Sequence, residues 1–204
     1  MYLLACSYTN GAVNALQIAS ILEVTYKTAW SMLRKIRTAV SAYDRQSPLQ
    51  GNIIAACIQY GFLSGLTNRP QPQVSPVSVC IGQASSSGGY IKIKMIPKEH
   101  LLSNRMLPSA KDWIAGQHAA GKANRLHVIT QPVYAIEDMK VIRELASSAR
   151  AWLNAAYHGL GKKYLQSYFD MFCFVYNTKR RSLSAVMQKL ASLCVQSAAC
   201  VIKS

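Results

Sequence analysis

At 204 residues the chain is long enough for one substantial core with a small appended unit. Its 23 Lys and Arg stand against 8 Asp and Glu, a formal +15, and that imbalance draws polyanions, nucleic acid first and an anionic membrane surface second. No apolar run reaches the ~20 residues that span a bilayer, and Met1-Tyr2-Leu3-Leu4-Ala5-Cys6 lacks the basic and sustained apolar segments of an export signal, so no membrane partner is expected and the cytoplasm is the expected compartment.

From Asn14 to Val24 the residues Leu16, Ile18, Ala19, Ile21 and Leu22 predict a short helix, and Thr25 is placed to cap a second one starting at Tyr26. The second helix carries Ala29, Trp30, Leu33, Ile36, Arg37 and Val40 at three- and four-residue spacing. Lys27, Arg34, Lys35 and Arg37 accompany that stripe with no acid before Asp44. Two helices joined by a tight turn, the second basic, fit a helix-turn-helix, whose second helix enters a DNA major groove. A solvated basic helix packed on its neighbour fits the same charges.

After Gly51, Asn52-Ile53-Ile54-Ala55-Ala56-Cys57-Ile58 is short, apolar and partly β-branched, as a buried strand is. Asn68 to Pro76 is a Pro- and Gln-rich loop, and Val77–Ile81 and Tyr90–Ile96 are strands separated by a hairpin turn at Ser85-Ser86-Ser87-Gly88-Gly89. In the second of these, Lys92 and Lys94 alternate with Ile91, Ile93 and Met95. A helix is expected over residues 98–107, while Pro108-Ser109-Ala110-Lys111-Asp112-Trp113 makes a poor strand. Leu126, Val128 and Ile129 mark a last strand. Ala135 to Ala156 reads as a helix burying Ile136, Met139, Ile142, Leu145, Ala149 and Trp152. Tyr164, Tyr168, Phe172 and Tyr176 then repeat every four residues, the stripe of a core helix. Lys162 and Lys163 begin it and Lys179-Arg180-Arg181 follow it, an edge suited either to phosphate contact or to plain solvation.

Six cysteines, Cys6, Cys57, Cys80, Cys173, Cys194 and Cys200, are scattered among apolar neighbours with no Cys-x-x-Cys spacing, and read as reduced, buried fillers. His100, His118, His127 and His158 form no metal spacing with one another or with the cysteines. Ser87-Gly88-Gly89 lacks the Lys and helix start of a phosphate loop.

Two stretches resemble one family. Leu22-Glu23-Val24-Thr25-Tyr26-Lys27-Thr28-Ala29-Trp30-Ser31-Met32-Leu33-Arg34-Lys35-Ile36-Arg37 is similar to Leu-Gly-Val-Ser-x-Lys-Thr-Ala-Trp-x-Met-Leu-x-x-Ile/Leu-Arg. Near the end, Trp152-Leu153, the Tyr157-His158-Gly159 turn and then Leu165-Gln166, Tyr168, Asp170, Phe172, Phe174 and Asn177 match a second run in order, with Met171 and Val175 replacing its Glu and Arg. Both resemble the ISXO-like bacterial insertion-sequence transposases.

The resemblance implies a mixed α/β, ribonuclease-H-like domain with flanking helices over residues 46–204, behind a helix-turn-helix-like leader over residues 1–45. The family's N-terminal zinc ribbon has no counterpart here, which reads as a truncated start. It also implies double-stranded DNA at the element's ends as partner, with self-association into a homo-oligomer left open. Lys27, Thr28, Arg34, Arg37, Lys162, Lys163, Arg180 and Arg181 are the DNA-binding candidates. Such transposases cut and join DNA with two Mg²⁺ ions held by carboxylates that converge from separate elements. Here the first carboxylate position falls on Ala56 and the third ligand on Ser148, with the accompanying positive charge kept by Arg150. Asp112 is the remaining candidate for catalysis and metal, aligned with the family's Thr-Asp-Gly-Trp. One carboxylate does not hold two Mg²⁺ ions, so the expectation is a transposase remnant that binds DNA and has lost cleavage and strand transfer. On that alignment, Ala56→Asp with Ser148→Asn restores metal binding. The rival readings are a basic nucleic-acid-binding module without transposase chemistry and an enzyme using Cys57 or a histidine.

Overall fold

The computed structural model describes residues 11–61, 75–83, 89–102, 105–119, 123–129, 137–157 and 160–202. The chain divides into two compact units, Met1–Ser47 with Ala151–Ser204, and Pro48–Arg150. This groups the leader with the C-terminal helices instead of ending a unit near residue 45.

The first unit is helical. In it α1 (Ala15–Leu22) starts at a capping box: the Asn14 side chain accepts the Gln17 N–H, and the Asn14 N–H donates to the Gln17 side chain. Helix α1 stops at Glu23, which sits in the left-handed region at φ 53° and ψ 38°, where the N–H groups of Glu23 and Val24 both donate to the Ala19 carbonyl. Thr25 then caps α2 (Tyr26–Gln46) by accepting the Thr28 N–H. Both helices and the capping Thr25 follow the spacing in the sequence.

Helices α5 (Lys162–Thr178) and α6 (Leu183–Ile202) complete this unit. Ala29, Leu33, Ala39 and Val40 of α2 meet Val13, Ala15 and Ile18 on one side and Met171, Phe174, Val175, Val186, Leu190 and Leu193 on the other. Every residue of α5 from Tyr168 to Val175 is buried. Of the four-residue aromatic stripe, Tyr168 and Phe172 lie in this enclosed stretch, while Tyr176 is half-buried and Tyr164 is exposed.

The second unit is built on a four-stranded sheet of β1 (Gly51–Tyr60), β2 (Ser75–Gln83), β3 (Tyr90–Met95) and β6 (Ala123–Ile129), in the order β3-β2-β1-β6. The first three form an antiparallel meander, and β6 runs parallel to β1. Strand β2 begins at Ser75 and Pro76, two residues inside the expected loop; Pro76 has no N–H to give, but its carbonyl accepts the Ile96 N–H. The rest of that loop, Ser85–Gly88 of the hairpin turn, and Ala135 and Ile136 lie outside the described residues.

Among the described residues of the range 98–107 no α-helix forms. Lys98–His100 is a single 3₁₀ turn, and β4 (Leu101–Leu102) then pairs with β5 (Arg105–Met106), with the Leu107 N–H closing on the His100 carbonyl. Pro97 precedes the segment, and its apolar residues fall in two adjacent pairs, 101–102 and 106–107. Such pairs fit a short hairpin as well as a helical turn, and the pairing of Leu101 with Met106 decides between them.

Register fixes what each sheet face carries. Ile53, Ala55, Cys57, Ser78, Cys80, Leu126 and Val128 share one face, covered by α3 (Ser109–Ile114) and the π-turn that continues it (Ala115–Ala119) through Ala110, Ile114 and Ala119. Ile54, Ala56, Val79, Ile93, His127 and Ile129 share the other. Helix α4 (Glu137–Asn154) is tied along that second face at both ends: Asp138 lies 3.8 Å from His127, and Arg150 donates to the Gln59 carbonyl at 3.1 Å. Met139, Ile142, Leu145 and Ala149 of the expected stripe are buried and Leu153 extends it, whereas Trp152 is only partly buried. The protein is thus mixed α/β, with a four-stranded mixed sheet and flanking helices.

Candidate nucleic-acid interface

The helical unit carries 12 Lys and Arg against 3 Asp and Glu, a net +9 of the chain's +15. Two of those acids, Asp44 and Asp170, are buried. Among the described residues Glu23 is the unit's one exposed acidic side chain, so their surface is predominantly positive.

On α2 the exposed side chains Lys27, Thr28, Arg34, Lys35 and Thr38 recur at helical spacing opposite the buried Ala29–Leu33–Val40 face. The Thr28 hydroxyl meets that of Thr25 at 2.9 Å, and the Thr38 hydroxyl donates to the Arg34 carbonyl. Cations and short hydroxyl donors in one row are the groups that contact phosphates and base edges.

This row is joined to the start of α5 by an aromatic pair. Trp30 and Tyr164 meet edge to face at 6.3 Å and 86°. The Arg34 guanidinium lies over Trp30 at 5.5 Å and the Lys163 ammonium over Tyr164 at 5.6 Å. Lys162 and Lys163 are exposed. The structure therefore unites two groups of candidates that stand over 120 positions apart, Lys27, Thr28 and Arg34 with Lys162 and Lys163. Trp30 and Tyr164, the residues that join them, look from sequence like ordinary members of apolar stripes.

Arg180 and Arg181 are also exposed but follow the far end of α5. At 1.5 Å per residue that is about 25 Å from Lys162 along the helix, a separate patch. There Lys179 lies over the Tyr176 ring at 3.9 Å.

Arg37 differs from the other candidates. It is 7% exposed, and its guanidinium sits 4.3 Å from the centre of the Tyr168 ring. It also hydrogen-bonds Tyr157, whose phenol is pushed up to about 12 by burial, with Arg37 opposing that rise. Tyr157 in turn donates to the Val13 carbonyl and packs against Tyr168 at 4.6 Å. Arg37 thus holds the helical unit together from inside, and its charge does not reach the basic row.

The positions aligned with the catalytic residues are not assembled. Ala56 is 1% exposed, paired across the sheet with Val79 and Ile129. The Ser148 hydroxyl donates to the Glu144 carbonyl on an exposed stretch of α4. Arg150 alone reaches β1, through the Gln59 carbonyl, where it also opposes the burial that raises the Tyr60 phenol. Asp112 is exposed on α3, the layer over the face opposite Ala56. Where the parallel pair ends at Ile129, no acid follows before Glu137. Among the described residues no three His, Cys, Asp or Glu stand where they would hold a metal. The donor set does not fit a pair of Mg²⁺ ions.

Among the described residues Cys57, Cys80 and His118 are poorly placed for nucleophilic or acid–base chemistry. Burial pushes the Cys57 thiol up to about 11 and raises Cys80 further, which suppresses the nucleophilic thiolate. His118, on the π-turn, is wholly buried with its Nε2 3.0 Å from the Ser78 hydroxyl, itself directed at the Lys94 carbonyl. Burial first, and then the nearby Lys92 and Lys94, push its pKa down to about 3, so it stays neutral. Lys92 and Lys94, the alternate face of β3, are 2% and 8% exposed because both sheet faces are covered.

No helix among the described residues is long and apolar enough to cross a membrane. No family model, curated protein or solved structure matches the chain.

Proposed function

We propose that the chain is a DNA-binding remnant of an ISXO-like insertion-sequence transposase, acting in the cytoplasm on the duplex ends of its element, with cleavage and strand transfer lost. The observation that carries this reading is the turn between α1 and α2. Glu23 adopts a left-handed backbone that favours glycine, and it occupies the position where the family's leader has Gly. The flanking Thr25 cap stands where the family has Ser, and the exposed basic row follows on the second helix. A three-residue turn of this kind supports reading α2 as the groove-entering helix of a helix-turn-helix.

The order β3-β2-β1-β6, a meander with a parallel strand added beyond β1, supports a ribonuclease-H-like ancestry for the second unit. The buried Ala56 and remote Asp112 support the loss of catalysis. Binding to duplexes carrying the element's terminal repeats, compared with scrambled duplexes across a salt series, tests the reading. Preference for the ends together with a steep salt dependence is the expected result. Equal binding to every duplex would leave only a basic nucleic-acid-binding module.

A further inference from the structure

We infer that the Trp30–Tyr164 pair is a stacking site for unpaired bases at the end of the bound DNA, an inference that rests on the DNA-binding reading above. In a duplex, bases show a protein only their edges and the phosphates, for which the cations and hydroxyls of α2 suffice. A tyrosine hydroxyl can reach a phosphate of intact duplex, but a ring face has nothing to stack on unless a base leaves the stack. Yet Tyr164 is 40% exposed on this surface and Trp30 is only partly covered, their rings held at right angles by their mutual contact.

Cations flank both rings. Arg34 lies over Trp30 and Lys163 over Tyr164, each at more than 5 Å on a flexible stem, so both are able to swing aside to phosphates while a base takes the ring face. Lys27 and Lys162 continue the positive surface on either side. Rings interleaved with cations are the arrangement that holds single-stranded nucleic acid without reading its sequence. The patch disfavours a basic or purely apolar partner, because its cations have no exposed acid in the unit nearer than Glu23, in the turn before α2. The ligand class is therefore a DNA end with a frayed or overhanging strand.

The test uses the full chain and three labelled DNAs read by fluorescence anisotropy: a blunt duplex, the same duplex with an unpaired thymidine overhang, and the thymidine strand alone. Wild type is expected to bind the overhang about tenfold tighter than the blunt end, the effect of one base on one ring. Tyr164→Ala collapses that ratio toward one, while Tyr164→Phe, which keeps the ring, preserves it. Lys163→Ala weakens all three DNAs and lowers the salt slope by about one. A wild-type ratio of one, or a ratio unchanged in Tyr164→Ala, overturns the inference while blunt-end binding leaves the DNA-binding reading standing. Loss of blunt-end and overhang binding together, with the strand alone retained, overturns the duplex reading instead.

Discussion

Replacing Glu23 with glycine tests the turn on which the functional reading rests. A residue with a Cβ in the left-handed region costs roughly 1–2 kcal/mol, and Glu23 sits there at φ 53°. Glycine removes that strain but returns about 0.5–1 kcal/mol through its greater freedom in the unfolded chain. The net expectation is a gain of about 0.5–1 kcal/mol, a rise of about 2 °C in melting temperature for a chain of this length. Glu23→Ala is the control, because alanine keeps the Cβ and removes the same charge. Urea and thermal unfolding of the three proteins decide the matter: glycine above both wild type and alanine supports the backbone argument. Equal stabilisation by alanine and glycine refutes it, since the gain would then come from removing a carboxylate from the C-terminus of α1, where the helix dipole disfavours it.

Other consequences follow from the same geometry. His118 takes a proton near pH 6.5 when unfolded but only at about pH 3 when folded, so the unfolded state binds more protons and stability falls as pH drops below 6.5. Between pH 7 and 5 this amounts to about 2 kcal/mol, read as the difference in urea-midpoint slope between wild type and His118→Phe; parallel slopes count against the buried neutral imidazole. Arg37→Ala is expected to destabilise by about 3 kcal/mol, from a buried cation–π contact and a lost hydrogen bond to Tyr157. Arg34→Ala, measured alongside, should leave stability within about 0.5 kcal/mol and weaken DNA binding; the reverse pattern would exchange their roles. Ala56→Asp buries a carboxylate among Val79 and Ile129 and should cost on the order of 3 kcal/mol. Titration calorimetry of Ala56→Asp with Ser148→Asn should show no tight Mg²⁺ binding, because Asp112 lies over the opposite face; tight binding would restore the sequence-based metal site.

The helices and strands were largely legible because each advertises itself over short range. The Asn14 box, the Thr25 cap and the 3–4 spacing of Ala29, Leu33 and Val40 locate α1 and α2 without reference to anything distant. The same holds for β1 to β3 and for the stripe of α4. Residues 98–107 misled because adjacent apolar pairs suit a hairpin as well as a helix, and only the pairing of Leu101 with Met106 decides.

Charge told that a polyanion is the expected partner, but not which cations face it. Arg34 and Arg37 are three residues apart on one helix and look alike in sequence. One reaches solvent and the other is enclosed by Tyr157 and Tyr168, residues more than a hundred positions away. Likewise Lys92 and Lys94 read as one face of a strand, and only the layer formed by α3 and the π-turn makes that face interior. The sequence by itself determined the local elements, the net charge and the small number of carboxylates, because these depend on residue type and near neighbours. Tertiary structure alone decided which basic residues share a surface, that Trp30 meets Tyr164, and that Asp112 and Ala56 lie on opposite sides of the sheet, because exposure and proximity are set by packing between segments far apart in the chain.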